Sequence, residues 1–426
     1  MPSRLTGLWR NPDFVRLWAA QTVSIFGSLV TRTALPFVAI LVLHATPFQI
    51  ALVGIAELVP AFTLGLVAGA WVDRLRRRPI LIAADLGRAG VLSVIPLFAF
   101  LDVLRIEHVY VVAALASILT VFFDVAYQSY LPSLVRREEL VEGNSKMSAS
   151  ASVAEFGAFG IGGWLVQWLS APYALLVDAA SFVWSAALVW RIRRPEPPPA
   201  PAGERQHIVR EIKEGLHFVV GSPVLRALGE SGAIFAMSGR MYSAVFLFYL
   251  TADVGFKPGL LGLIFAVGGA TSFVGAVTTG RLTRRIGVGP ALIAALPMIA
   301  LGRLMVVAVS DNSWVAVALL VGQQFVSDPF WTVYEISHVS LRQASAPDRW
   351  QGRMNASLQS IEFAGMLLGA LLGGWLGDTI GAHETLLVAT IVTLLAALPL
   401  LVPAVRGLKE APLALTTLED PVTEVP

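Results

Sequence analysis

The 426-residue sequence contains no cysteine, which excludes a disulfide framework, a thiol nucleophile and any thiolate metal site. Its six histidines form no HExxH pattern and no close pair, so no bound metal is expected. No GxxxxGK[ST] loop occurs, so the chain is not expected to hydrolyse nucleotide. With no nucleophile–base arrangement evident, it reads as a non-enzyme that needs no cofactor. Charge is scarce too: Asp, Glu, Lys and Arg make up 14% of residues, and the formal net charge is +2. That supply cannot cover the surfaces of two or three soluble domains. A chain rich in Leu, Val and Phe is not disordered either.

Apolar surface stands in place of charge. Hydrophobic residues make up 56% of the chain, and the 37 glycines raise the apolar share to about 65%, against about 45–50% in soluble proteins. Mean hydropathy is +0.70. The expected partner is therefore the lipid bilayer. On the scale of about 20 apolar residues per crossing, twelve spans are expected: 14–43, 48–72, 79–101, 108–131, 146–169, 171–190, 224–250, 258–280, 288–309, 313–338, 354–376 and 384–404. Their apolar runs are continuous rather than alternating, so they are helices and not barrel strands. The first run, flanked by Arg4 to Arg16, is too long for a signal-peptide core.

Placement of the basic residues gives an orientation. With the N-terminus taken as cytoplasmic, 25 of the 31 Lys and Arg fall in inside segments and only Arg105 and Lys257 outside. Arg32, Arg88, Arg240 and Arg303 lie within spans. The expectation is a multi-pass protein of the plasma (inner) membrane with both termini cytoplasmic, and the split accounts for the high pI without a nucleic-acid partner. Residues 1–190 form a first six-helix bundle and 222–404 a second. Between them, 191–221 holds a stiff Pro-rich linker and an amphipathic helix with Ile208, Ile212, Leu216 and Val219 at helical spacing, laid on the cytoplasmic face. Residues 405–426 read as a flexible cytoplasmic tail.

The halves repeat at an offset of 207 residues. That shift carries Arg74-Leu75 to Arg281-Leu282, Arg77-Arg78 to Arg284-Arg285, Phe123 to Phe330 and Tyr127 to Tyr334. It also carries Ser133-Leu134 to Ser340-Leu341, Met147 to Met354, Glu155-Phe156 to Glu362-Phe363, Gly162 to Gly369 and Trp168 to Trp375. Six spans per half place both copies in the same orientation, a parallel repeat about the membrane normal that encloses a midplane site.

Gly69, Asp73, Arg74, Arg77 and Arg78 follow the spacing GxxxDRxxRR, which resembles the loop signature of the major facilitator superfamily. Gly280, Arg281, Arg284 and Arg285 form a degenerate second copy. Together with Ala34-Leu35-Pro36, Asp85-Leu86-Gly87-Arg88, Leu131-Pro132-Ser133-Leu134-Val135 and Asp178-Ala179-Ala180-Ser181-Phe182, the N-terminal half is similar to the enterobactin-exporter and macrolide-efflux branch. The resemblance implies an all-α fold of twelve transmembrane helices in two pseudo-symmetric six-helix bundles. It also implies a cytoplasmic gate made by Gly69, Asp73, Arg74, Arg77, Arg78, Asp85, Arg88, Arg281, Arg284 and Arg285. Positive-inside anchoring accounts equally for most of those arginines, and Asp85 with Arg88 is also readable as a same-face structural pair. One departure stands out: the GPxxGG-like motif of drug/proton antiporters is represented by Ala158 to Gly163, without its proline.

Ionised groups inside a span cost about 2.5–3.5 kcal/mol each on insertion scales, so they face water or a partner. Asp178 reads as packing and Glu230 and His338 as interfacial. Glu155 and Glu362 are repeat mates in spans five and eleven, Asp124 and Asp328 lie in spans four and ten, and Arg32 and Arg240 lie in spans one and seven. These six are the candidates for proton coupling, static buried ion pairs being the alternative. Glu57, Phe123, Tyr127, Phe330, Trp331, Tyr334 and Glu335 are the cavity candidates, their aromatics offering stacking surface to an amphipathic ligand. The resulting expectation is a monomeric secondary transporter that exports a small amphipathic organic molecule, drug- or siderophore-like, by alternating access and proton antiport. Uptake or lysophospholipid-like flipping on the same fold is the alternative, and a non-transporting membrane sensor a remote one.

Overall fold

The computed structural model describes residues 7–72, 74–196 and 208–409. Among them no strand occurs and eleven long helices do: α1 (Pro12–Phe37), α2 (Pro47–Val72), α3 (Arg77–Phe100), α4 (Ile106–Leu134), α5 (Leu140–Leu169), α6 (Ala171–Trp190), then after a shorter α7 (Ile208–Gly221), α8 (Pro223–Phe248), α9 (Pro258–Ile286), α10 (Val288–Val307), α11 (Trp314–Ala344) and α12 (Asp348–Thr379), followed by α13 (Ala382–Leu395), as short as α7. Asp73, residues 197–207, the tail from 410 and the side chains of Glu155, Ile208 and Ile212 lie outside the described residues.

The starts of these helices follow from local chemistry. Proline occupies the first position of α1, α2, α8 and α9, where its missing N–H leaves no bond unmade. Asn11 caps α1, its side-chain oxygen accepting from the N–H groups of Asp13 at 3.1 Å and Phe14 at 3.2 Å. Several helices outrun their apolar windows: α5 starts at Leu140 rather than 146, α11 runs to Ala344 and α12 begins at Asp348. Hydropathy falls where charges begin, but nothing there breaks a helix. The opposite holds at the last span, where α13 ends at Leu395 and a 3-10 turn, Leu398–Leu401, follows. Pro399 removes a helical N–H and disfavours helix at the residue before it. Among the described residues, ten helices are both long and apolar enough to cross a membrane. α11 is long enough at 31 residues but carries Gln323, Gln324, Asp328, Glu335 and His338.

The sequence repeat is visible in the backbone. α1 and α8 each finish in a π-helical turn, Val38–Val42 and Tyr249–Asp253. After them, Leu43 N–H donates to Val38 O and Ala45 N–H to Ala39 O, at 3.1 and 2.9 Å. In the second copy Val254 donates to Tyr249 O and Phe256 to Leu250 O, at 3.0 and 2.8 Å. The residue inside each closing turn is left-handed: His44 at φ 50° and Gly255 at φ 85°. Such a turn satisfies the last carbonyls of a helix, and glycine takes the conformation without strain.

The chain divides into two compact units, Met1–Glu204 with Leu247–Ala266, and Arg205–Phe246 with Val267–Pro426. In the first, α1 packs on α5 and α6, α3 on α4 and α6, and α2 on α4. Its core gathers Phe14, Leu17, Leu81, Phe123, Tyr130 and Leu134. In the second, α10 packs on α11 and α13, and α7 lies along α12, around Leu225, Leu292, Leu296, Tyr334 and Leu358. There α12 meets α8 through a glycine ladder. A Cβ on Gly365, Gly369 or Gly373 would fall 2.3, 2.0 or 2.7 Å from the carbonyl oxygens of Ala233, Met237 and Met241 respectively. Four-residue steps on both helices let two backbones touch along two turns. α7 is fixed to α12 by Glu214–Arg353 at 3.1 Å, by Phe218 stacked on Trp350 with centroids 5.0 Å apart and by buried Val219. Leu216 and Val220 stay exposed.

Candidate functional site

In the first unit the buried charges are gathered around α3. The i, i+3 spacing puts Asp85 and Arg88 on the same buried stripe as Leu81 and Leu92, and Arg88 Nη2 donates to Asp85 Oδ1. The guanidinium lies between two rings, 4.2 Å from the centroid of Phe123 on α4 and 4.0 Å from that of Phe182 on α6. Both ring faces favour the cation. Asp178 on α6 is equally buried, its Oδ2 accepting from Thr31 Oγ1 at 2.6 Å and its Oδ1 from Ser181 Oγ at 3.0 Å. α1 comes this close only because residue 27 is glycine: a Cβ there would sit 2.3 Å from Asp178 Oδ1 and 2.1 Å from Ser181 Oγ. Asp124 is exposed on α4, within electrostatic reach of Arg88. Arg32 and Glu57 are exposed on α1 and α2, and Arg32 makes no ion pair among the described residues.

Two clusters occupy the second unit. At the first, Arg342 on α11 pairs with Glu362 on α12 at 3.4 Å. Beside them His338 is buried, and its Nε2–H donates to Leu228 O on α8 at 3.1 Å. Tyr334 stacks on His338, centroids 5.4 Å apart, and its hydroxyl meets Ser231 Oγ at 3.2 Å. Gly232 leaves room for both ionisable groups, since a Cβ would come within 3.0 Å of Glu362 Oε1 and 3.4 Å of His338 Cε1. Glu335 is exposed and accepts from Trp331 Nε1 at 3.3 Å. Glu362 feels both Arg342 and Glu335.

At the second cluster Arg303 of α10 donates through Nη1 to Ser238 Oγ on α8 and Thr393 Oγ1 on α13, both at 2.7 Å. Its Cζ stands 4.6 Å from the ring centroid of Tyr242. Nearby, Asp328 on α11 is half-buried and accepts from Gln323 Nε2 at 3.5 Å. Gly268 on α9 admits Asp328 and Gln324, whose side-chain oxygens would each lie 2.4 Å from a Cβ there. Arg240 is half-buried on α8.

The aromatic candidates separate by exposure. Phe123 and Tyr334 are closed into the two cores, Tyr127 and Phe330 are half-buried, and Trp331 is exposed. Between α7, α8 and α12 an open groove of 440 Å³ is lined by Leu216, Ile234, Met237, Ile361 and Leu368, together with Ser357 and Ser360.

The gate candidates also divide. Arg78 reaches the end of α6, Nε donating to Val189 O at 3.3 Å and Nη2 to Trp190 O. Glu196 caps α3, accepting from the N–H of Arg78 at 3.2 Å and pairing with the Arg77 guanidinium at 3.8 Å. Arg74, Arg281, Arg284 and Arg285 are exposed, and a Cβ on Gly69 would meet nothing within 4 Å. Sequence reasoning missed the capping role of Glu196, which it read as part of a stiff linker. It also missed Arg342 as the partner of Glu362, and the burial of His338. Arg303 could have been found, because it continues the apolar stripe Leu292, Leu296, Ile299 of α10 at helical spacing.

Comparison with known proteins gives a consistent picture. A family model described as transmembrane secretion effector matches residues 5–425. The chain is 28% identical over 427 residues to the multidrug efflux pump Tap of Mycolicibacterium fortuitum, covering 95% of this chain and 98% of that protein. It is 26% identical to the uncharacterized MFS-type transporter YfiS of Bacillus subtilis, covering 89% and 91%. Among solved structures it resembles the nucleoside transporter NupG, with a TM-score of 0.74 at 14% identity over 91% of this chain and 98% of that one. It also resembles a bacterial homologue of the iron transporter ferroportin in its inward-facing state, with a TM-score of 0.71 at 16% identity over 92% and 100%. At these identities the structures speak to the fold alone.

Proposed function

Because the chain belongs to the transmembrane secretion effector family of major facilitator transporters, we propose that it exports amphipathic organic molecules in exchange for protons. The observation that carries this reading is the placing of carboxylates within electrostatic reach of guanidinium groups on neighbouring helices. Glu362 lies 3.4 Å from Arg342, and exposed Asp124 lies within reach of Arg88. A carboxyl that leaves its guanidinium for a drier surrounding takes up a proton, and one that returns gives it up. Alternating access turns that exchange into transport. The mostly apolar groove of the second unit suits the apolar body of such a molecule, and a relative described as a multidrug efflux pump supports the substrate class.

The sidedness follows the positive charge: the arginine-rich loops and both termini face the cytoplasm, and the membrane is the inner one. In that orientation the exposed Arg74 of the first unit lies on the cytoplasmic side, and so, in the second unit, do Arg281, Arg284 and Arg285. The proton gradient suffices as the driver. One proton crossing about 150 mV releases roughly 3.5 kcal/mol, which supports a gradient of about several hundredfold for a neutral solute.

Proteoliposome transport of ethidium tests this reading. Under an imposed pH gradient, wild type should accumulate the dye uphill. Glu362→Gln, Glu155→Gln and Asp124→Asn should each lower the uphill component while leaving dye-for-dye exchange. Uphill transport unchanged in all three variants would remove these carboxylates from the mechanism.

A further inference from the structure

We propose that Arg303 is the anchor of a binding site for an aromatic organic anion, such as a carboxylate, inside the second unit; this rests on the reading of the protein as a transporter. Position 303 continues the buried stripe of α10 after Leu292, Leu296 and Ile299, so a guanidinium stands where the helix pattern calls for leucine. Arginine stays protonated under all conditions the protein meets. A cation inside a membrane-spanning helix ordinarily has a carboxylate beside it.

Arg88 and Arg303, each set on the apolar stripe of its helix, can be compared directly. Arg88 has Asp85 on its own helix as an ion-pair partner. Arg303 has no ion pair among the described residues, and its hydrogen-bond partners are two hydroxyls, Ser238 and Thr393. Both of those side chains are themselves fully buried, so they hold Nη1 in place without neutralising it. The side chain as a whole is not sealed: Arg303 and Tyr242 are each only half-buried, which leaves the rest of the guanidinium fork approachable.

The surroundings define what fits. The planar fork matches a carboxylate in two parallel hydrogen bonds. Alongside it Tyr242 and Phe246 form a stacked pair, ring centroids 5.0 Å apart at 25°, which offers an aromatic face next to the cation. A flat ring bearing one carboxylate satisfies both elements. The competing explanation is that Arg303 only ties α8, α10 and α13 together through its two hydroxyl contacts.

Binding to the purified full-length protein in detergent separates the two, and it does not depend on transport or coupling. 1-Naphthoate and its uncharged analogue 1-naphthamide are compared by thermal shift and by quenching of tryptophan fluorescence. Naphthoate should bind at least tenfold tighter than naphthamide. Arg303→Gln should weaken naphthoate by about 10- to 100-fold, the loss of a charge-assisted pair, with naphthamide unaffected. Arg303→Lys should retain part of the preference. The double variant Ser238→Ala/Thr393→Val, which removes the tie and keeps the charge, should lower thermal stability yet still prefer naphthoate. Equal binding of the two probes, or an Arg303→Gln variant that still prefers naphthoate, overturns the proposal. If Arg303→Gln does not fold, the double variant decides: loss of its anion preference also overturns it.

Discussion

Replacing Gly369 with valine probes the contact between α8 and α12 at its tightest point. A Cβ at this position would lie 2.0 Å from Met237 O, where ordinary contact begins at 3.4 Å. α12 must therefore retreat by more than an ångström, or both backbones must bend. Retreat also loosens the neighbouring approaches at Gly365 and Gly373, because all three share one face at four-residue steps. Overpacking of this kind costs about 1–3 kcal/mol and occasionally more. Higher intrinsic helix propensity of the new residue offsets less than about 1 kcal/mol of that. The net expectation is a loss of about 2 kcal/mol, read as a fall of several degrees in the thermal midpoint of the detergent-solubilised protein. The control is Gly239→Ala on α8, where a Cβ meets nothing within 4 Å; it should leave the midpoint unchanged or raise it. A graded decline through Gly369→Ala, Val and Leu is expected. Equal midpoints for Gly369→Val and Gly239→Ala would refute the close-approach argument.

Further substitutions test other parts of the fold. Asp85→Asn strips Arg88 of its anion and should destabilise by about 3–5 kcal/mol. The double change Asp85→Leu/Arg88→Met should recover most of that in the same melting assay. Glu196→Ala removes the cap of α3 and should cost about 0.5–2 kcal/mol, with hydrogen exchange rising first at the amides of Arg77 and Arg78. Gly27→Ala drives a methyl into Ser181 and Asp178 and should destabilise by about 1–3 kcal/mol, more than Thr31→Val, which loses only one hydrogen bond of about 1 kcal/mol.

Much of the fold was readable because a bilayer imposes one length scale and one dominant pattern. Apolar runs located the helices, and the likeness of the halves is mirrored in the paired π turns at Val38–Val42 and Tyr249–Asp253, which lie 211 rather than 207 residues apart. Helix ends were less legible wherever charge began before the helix stopped, as at Leu140 and Ala344, because hydropathy records the membrane edge rather than the last hydrogen bond. The candidate site was legible in part. Spacing alone offered the Asp85–Arg88 pair, since i, i+3 neighbours share one face of a helix and can meet, and the two do pair. It could not predict the partnership of Arg342 with Glu362, which depends on how α11 and α12 pack. Nor could it foresee Glu196 at the start of α3, which a Pro-rich segment delivers from more than a hundred residues away. Phe123 and Tyr334 looked like cavity residues because aromatic clustering does not say which way a ring faces.

The claim on which the functional account turns is that proton movement drives outward transport of an amphipathic molecule. Simultaneous recording of proton flux and ethidium flux in proteoliposomes of wild-type protein tests it most directly. The account predicts that an imposed ethidium gradient, with no pH gradient, drives protons in the opposite direction, and that Glu362→Gln sharply lowers this proton flux. Ethidium movement with no accompanying proton flux, or with protons travelling the same way, would contradict it.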